Sequence, residues 1–115
     1  SIGDYAFYGC TRLQRIELPM HLKTLGTGAF CASGLCSVRI PGSVREISRM
    51  AFYGCSSLEE VQLQDGTEII GERAFAGCRQ LKAVRIPSSV RLIRREAFDQ
   101  NCELWLLSPE TVVER

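Results

Sequence analysis

Apolar and polar residues alternate in short bursts along this chain, and the bursts return at a nearly constant interval. The segments Leu13 to Leu18, Leu35 to Ile40, Leu58 to Leu63 and Leu81 to Ile86 each finish with an alternation of period two, as expected of a strand that buries one face. An Ala-Phe pair precedes each burst, at Ala6-Phe7, Ala29-Phe30, Ala51-Phe52 and Ala74-Phe75, and recurs at Ala97-Phe98, with spacings of 23, 22, 23 and 23 residues. An aliphatic residue stands four before each Ala (Ile2, Leu25, Ile47, Ile70, Ile93), and another stands six after the Phe, in the phase of Leu13, Leu58, Leu81 and Leu104. The second unit reaches that phase one residue early, at Leu35, so its missing residue lies near Ser33-Gly34. Repetition at this period describes a solenoid. One unit cannot bury its apolar side alone, and stacking on its neighbours completes the core.

The punctuation between bursts agrees. Pro19, Pro41 and Pro87 end three of the strands, and Asp65-Gly66 ends the other. Proline has no amide proton for the ladder and presets a turn. The Ala-Phe segment is too short to nucleate a full helix, which predicts a single helical turn, of 3₁₀ type. Gly9, Gly54 and Gly77 stand two after their phenylalanines, where a positive φ would close that turn. Ala32 and Gln100 hold the place in units two and five, so those units are expected to turn differently.

The run Ile2-Gly3-Asp4-Tyr5-Ala6-Phe7-Tyr8-Gly9-Cys10-Thr11-Arg12-Leu13, followed by Ile16-Glu17-Leu18-Pro19, resembles the BspA-like leucine-rich repeats, and Ala51 to Leu63 and Ala74 to Pro87 repeat it. The resemblance covers nearly the whole chain and weakens after Asn101. It implies an α/β fold: a right-handed leucine-rich-repeat solenoid with a parallel β-sheet on one face and short strands with helical or 3₁₀ turns on the other. It also implies surface display, adhesion or partner recognition rather than catalysis, and hence a cell-surface or secreted protein. The expected organisation is a single leucine-rich-repeat domain over 1–115, of about five coils. Its last coil, about 97–115, is degenerate or capping. A start at Ser1 with no initiator Met is expected of a piece of something longer.

Composition narrows the functional classes. Fourteen basic residues face thirteen acidic ones, which gives none of the basic excess that nonspecific nucleic-acid binding draws on. No apolar run approaches the roughly 20 residues that span a bilayer, so no membrane insertion is expected. Cys10, Cys55 and Cys78 share one column, three after the phenylalanines, with Ser33 and Asn101 in the other units. Stacked coils about 4.8 Å apart would permit a bridge by distance, but parallel ladder side chains do not point at each other. A buried, reduced packing role is expected for this column. A line of three thiols, with the only histidine, His21, elsewhere in the coil, does not converge like a zinc site. No nucleophile–base motif and no phosphate loop is present. We therefore expect no cofactor, no metal and no enzyme.

The candidate site is the outward phase of the strands. If Ile16 and Leu18 point inward, then Arg15, Glu17, Arg39, Glu60, Gln62 and Arg85 point outward, with Ser37 and Ala83 between them. One column reads Glu17, Arg39, Gln62, Arg85, close enough along the stack for weak ion pairs. Solenoids bind on such a sheet, and the expected partner is another protein, held weakly or avidly since strong aromatic anchors are sparse. End-to-end self-association through uncapped coils is a further expectation. The competing expectation is a structural spacer or interaction arm of a larger intracellular, cytoplasmic protein, including an enzyme whose active domain lies elsewhere. On the turn side, Arg45, Arg73, Arg91, Arg94 and Arg95 are interleaved with Glu46, Glu68, Glu72 and Glu96, which predicts mutual neutralisation.

Overall fold

A computed structural model describes all residues 1–115. The chain winds into a parallel-sheet solenoid of 38 × 30 × 18 Å. Eight short strands occur: β1 (Ser37–Ile40), β2 (Glu46–Ile47), β3 (Glu60–Leu63), β4 (Ile69–Ile70), β5 (Ala83–Ile86), β6 (Leu92–Ile93), β7 (Glu103–Leu106) and β8 (Val112–Val113). The longer strands line one side, where β1 pairs with β3 and β5 pairs with β7. The two-residue strands form a second sheet in the order β2-β4-β6-β8. All pairings are parallel and join residues one repeat apart, such as Arg39 with Gln62 and Ile70 with Ile93.

Alternation along β1 and β5 leaves Val38, Ile40, Val84 and Ile86 buried and Arg39 and Arg85 exposed, so the inward phase inferred from sequence holds. A cluster of 26 buried residues runs the length of the stack. At its centre the five phenylalanines form a ladder, with ring centroids 5.0 to 5.3 Å apart and rings within 8° of parallel. We number the coils 1 to 5 by these rings.

The expected helical turn is absent, and the backbone shows why. In coil 2, Ala29, Cys31 and Ser33 donate within the turn to Gly26, Gly28 and Phe30, three residues back, while Gly28, Phe30 and Ala32 donate across to Arg49, Ala51 and Tyr53 of coil 3. Alternate amides thus leave the coil, and no helical ladder can propagate. Each turn begins in the left-handed region, at Tyr5, Gly28, Met50, Arg73 and Glu96, with φ between 54° and 60°.

A second left-handed residue closes the turn at Gly9, Gly54 and Gly77, as expected, and also at Ala32, with φ of 58°. Coil 2 therefore turns like its neighbours, contrary to expectation. The strain of an alanine there, about 1 kcal/mol, is offset by the bond from its amide to the Tyr53 carbonyl at 2.7 Å. Coil 2 is shortened at Gly34, where a Cβ would lie 2.0 Å from the Thr11 carbonyl oxygen of coil 1.

Two further expectations change. Arg15 to Leu18 joins no strand, although coil 2 reaches it through Cys36 N–H to the Gln14 carbonyl at 2.9 Å. Coil 5 is three residues short between its phenylalanine and its strand, so Leu104 pairs with Val84 instead of occupying the place of Leu81. Cys102 is the buried residue ahead of that strand.

Candidate functional site

Strands β1, β3 and β5 carry Arg39, Glu60, Gln62 and Arg85, and the strandless segment before them in coil 1 carries Arg15 and Glu17. Arg15, Glu17, Arg39, Glu60, Gln62 and Arg85 are exposed. The first five line a shallow depression of about 1070 Å³ across coils 1 to 3, together with Met20, Ser37, Pro41 and Gln64. Arg85 lies outside it, farther along the sheet. Met20, 81% exposed, had no signal in the strand alternation because it follows Pro19, beyond the strand phase.

Polar contacts on this face are few. Arg39 Nε donates to Gln62 Oε1 at 3.2 Å, and Gln62 Nε2 donates to Glu60 Oε2 at 3.2 Å. Glu17 and Arg39 share a column but form no ion pair, and no salt bridge joins any of the six. The column also runs on farther than the sequence suggested: Trp105 stands opposite Arg85, and its indole N–H donates to Glu103 Oε1 at 2.9 Å. The shortened coil 5 hid this match from the repeat frame.

The other side of the molecule behaves differently. Arg45 meets Glu68 at 3.1 Å and Arg91 meets the same carboxylate at 3.7 Å, while Arg49–Glu72, Arg73–Glu96 and Arg94–Glu114 lie at 3.9, 2.9 and 3.8 Å. Most of the arginine–glutamate interleaving there is neutralised in place, while Arg95 and Glu46 join no ion pair.

The thiols are all free. Cys55 and Cys78 each donate a thiol hydrogen bond at 3.1 Å, to the carbonyls of Phe30 and Phe52, and the Ser33 hydroxyl sits 3.4 Å from the Cys55 sulfur. Ser33 thus continues the column in coil 2, while Asn101 is exposed and does not. Hydrogen bonding with Cys55, and then burial, push the Cys78 thiol far up, and burial followed by the Asp99 charge lifts Cys102 to about 11. Such thiols are poor nucleophiles. Cys31 and Cys36 are free thiols, and His21 is exposed. No group of three or more His, Cys, Asp or Glu side chains is placed to hold a metal ion, and no helix is long and apolar enough to cross a membrane.

The repeat is matched by a family model described as "BspA type Leucine rich repeat region", in six copies over residues 1–104. The chain belongs to the BspA-type leucine-rich-repeat family. Among solved structures, this BspA-type chain is similar to a leucine-rich repeat protein from Bacteroides ovatus. The identity is 33% and the TM-score 0.90, over 98% of this chain and 30% of the other. It is also similar to the T. pallidum leucine-rich repeat protein TpLRR at 36% identity and a TM-score of 0.51, over 54% of this chain and 31% of that one. The chain thus spans about a third of the length of the solved proteins it matches. No curated protein matches the chain significantly.

Proposed function

We propose that this BspA-type solenoid is a non-catalytic binding module that holds another protein on its sheet face, through Arg15, Glu17, Arg39, Glu60, Gln62 and Arg85. One observation carries the reading. All five ion pairs of the molecule lie on the side of the short strands and turns, whereas the charged residues of the sheet face make none. Charges that the fold leaves unpaired on a broad, shallow face can steer and orient a partner. The depression over coils 1 to 3 suits a protein surface better than a small molecule, because it is open rather than an enclosed apolar pocket. At a cell surface the same face would serve adhesion.

Photocrosslinking tests the assignment. A crosslinking residue placed at Arg39 or Gln62 is expected to capture the partner, and alanine at Arg15, Arg39 and Glu60 together is expected to release it. The same probe at Arg49 or Arg73 should capture nothing. Capture of one partner equally from both faces, or undiminished binding by the triple variant, would overturn the proposal.

A further inference from the structure

The sheet face has two ends, and only one carries an aromatic side chain. Pairing of β5 with β7 sets Arg85 beside Trp105. Trp105 is 60% exposed, and its N–H is already bonded to Glu103. That bond tethers the ring by its polar edge, and no other ring stacks on it. Two residues on, in the same outward phase, Leu107 is 49% exposed.

Arg85 itself is unengaged, with neither an ion pair nor a side-chain hydrogen bond. Its neighbours in the outward phase offer no counter-charge. Ala83 shares its strand, Gln62 precedes it by one repeat, and Trp105 follows it. The carboxylates on this part of the face, Glu60 and Glu103, each accept one hydrogen bond from a neutral donor, Gln62 and the indole, and neither forms an ion pair with Arg85. An open guanidinium fork therefore sits next to an open indole. The fork matches a carboxylate in a bidentate pair. The indole supplies a large apolar surface, and Trp and Arg are the side chains on which interface energy concentrates.

Resting on the reading of the sheet face as the binding surface, we propose that this end docks an extended acidic segment of the partner protein. An Asp or Glu carboxylate of that segment is held by Arg85, and an adjacent apolar side chain lies against Trp105 and Leu107. A basic segment would leave the Arg85 fork without a partner and set like charges together. A neutral saccharide would use the ring without the fork.

Trp105 is the only tryptophan in the chain, so its emission reports on this end alone. The whole chain is titrated with short synthetic peptides of alternating Asp and Leu, with Asn-Leu and Lys-Leu counterparts and with a neutral oligosaccharide. The Asp-Leu peptide is expected to shift the emission to the blue and to saturate, with binding that weakens as salt rises. Arg85→Ala should weaken it about tenfold, the effect of losing one charge-assisted pair, and Arg85→Lys should restore part of it. Anisotropy of a labelled Asp-Leu peptide should show a comparable loss for Trp105→Ala, with unchanged circular dichroism confirming that both variants fold. No saturable response, an equal response to Asn-Leu, a response to the oligosaccharide alone, or binding that survives Arg85→Ala in the folded chain would each overturn the proposal. Crosslinking at Arg39 and Gln62 probes coils 1 to 3 separately, so its success alongside a failed peptide titration would reject this occupant and leave the wider binding face standing.

Discussion

The two sides of the solenoid carry similar charges and treat them in opposite ways. On the sheet face stand Arg15, Arg39 and Arg85 with Glu17, Glu60 and Glu103, and no ion pair forms among them. On the side of the short strands, Arg45, Glu68 and Arg91 join across three successive coils. The spacing between like positions is one coil in both places. Glu17 and Arg39 are as eligible as Arg45 and Glu68, yet Arg39 turns to the Gln62 amide. Coil spacing therefore permits a pair without forming one. Because exposed ion pairs contribute only about 0–1 kcal/mol each, leaving a face unpaired costs the fold little and keeps its charges open to a partner.

The comparison can be tested from its strongest consequence to its weakest. Both faces rest on the phenylalanine ladder, so Phe52→Ala should destabilise the chain by about 3–5 kcal/mol and abolish the two faces together in denaturant unfolding. A variant that lost only one face would separate what the ladder joins. Gly34→Ala drives a Cβ into the Thr11 carbonyl and should cost about 1–3 kcal/mol, read as a lower unfolding midpoint, with coil 1 affected first in hydrogen exchange.

The next effect concerns pH. The folded chain holds the Cys102 thiol protonated up to about 11, whereas in the unfolded chain it ionises near 8.5. Between those values the unfolded state binds fewer protons, so stability is full below about 8.5 and falls as pH rises toward about 11. Cys102→Ser should make that part of the profile shallower, leaving the fall that the raised Cys78 thiol contributes. Smaller again, Glu68→Gln removes the anion shared by two arginines and should cost at most about 1 kcal/mol, vanishing at high salt. Smallest of all, Arg39→Ala should move stability by no more than about 0.5 kcal/mol. A larger loss would mean that the sheet face is structural after all.

Much of this was legible in the sequence because the chain states its plan repeatedly. The Ala-Phe pairs and the aliphatic positions around them located the core and the inward phase of the strands, and with these the exposure of the six candidate residues. What escaped depends on groups a whole coil away. The turn amides of Gly28, Phe30 and Ala32 find their acceptors in coil 3, which no local propensity reveals, so a helical turn was expected where none exists. Ala32 adopts a glycine's φ for the same reason. Trp105 went unrecognised as part of the outward column because coil 5 drops three residues, and counting forward from Phe98 put Leu104 in the wrong phase. Aligning Glu103-Leu104-Trp105-Leu106 on Ala83-Val84-Arg85-Ile86 by alternation alone would have recovered it.

The division of the turn amides between a coil and its successor has a kinetic corollary. In each of the first four turns, half of the protons are guarded by the coil's own carbonyls and half by the next coil. Loss of the fifth coil should therefore unmask Arg73, Phe75 and Gly77 to deuterium while Ala74, Ala76 and Cys78 stay protected. A melting front that advances along the stack would write itself into the exchange pattern as every second residue, one coil ahead of where it stands.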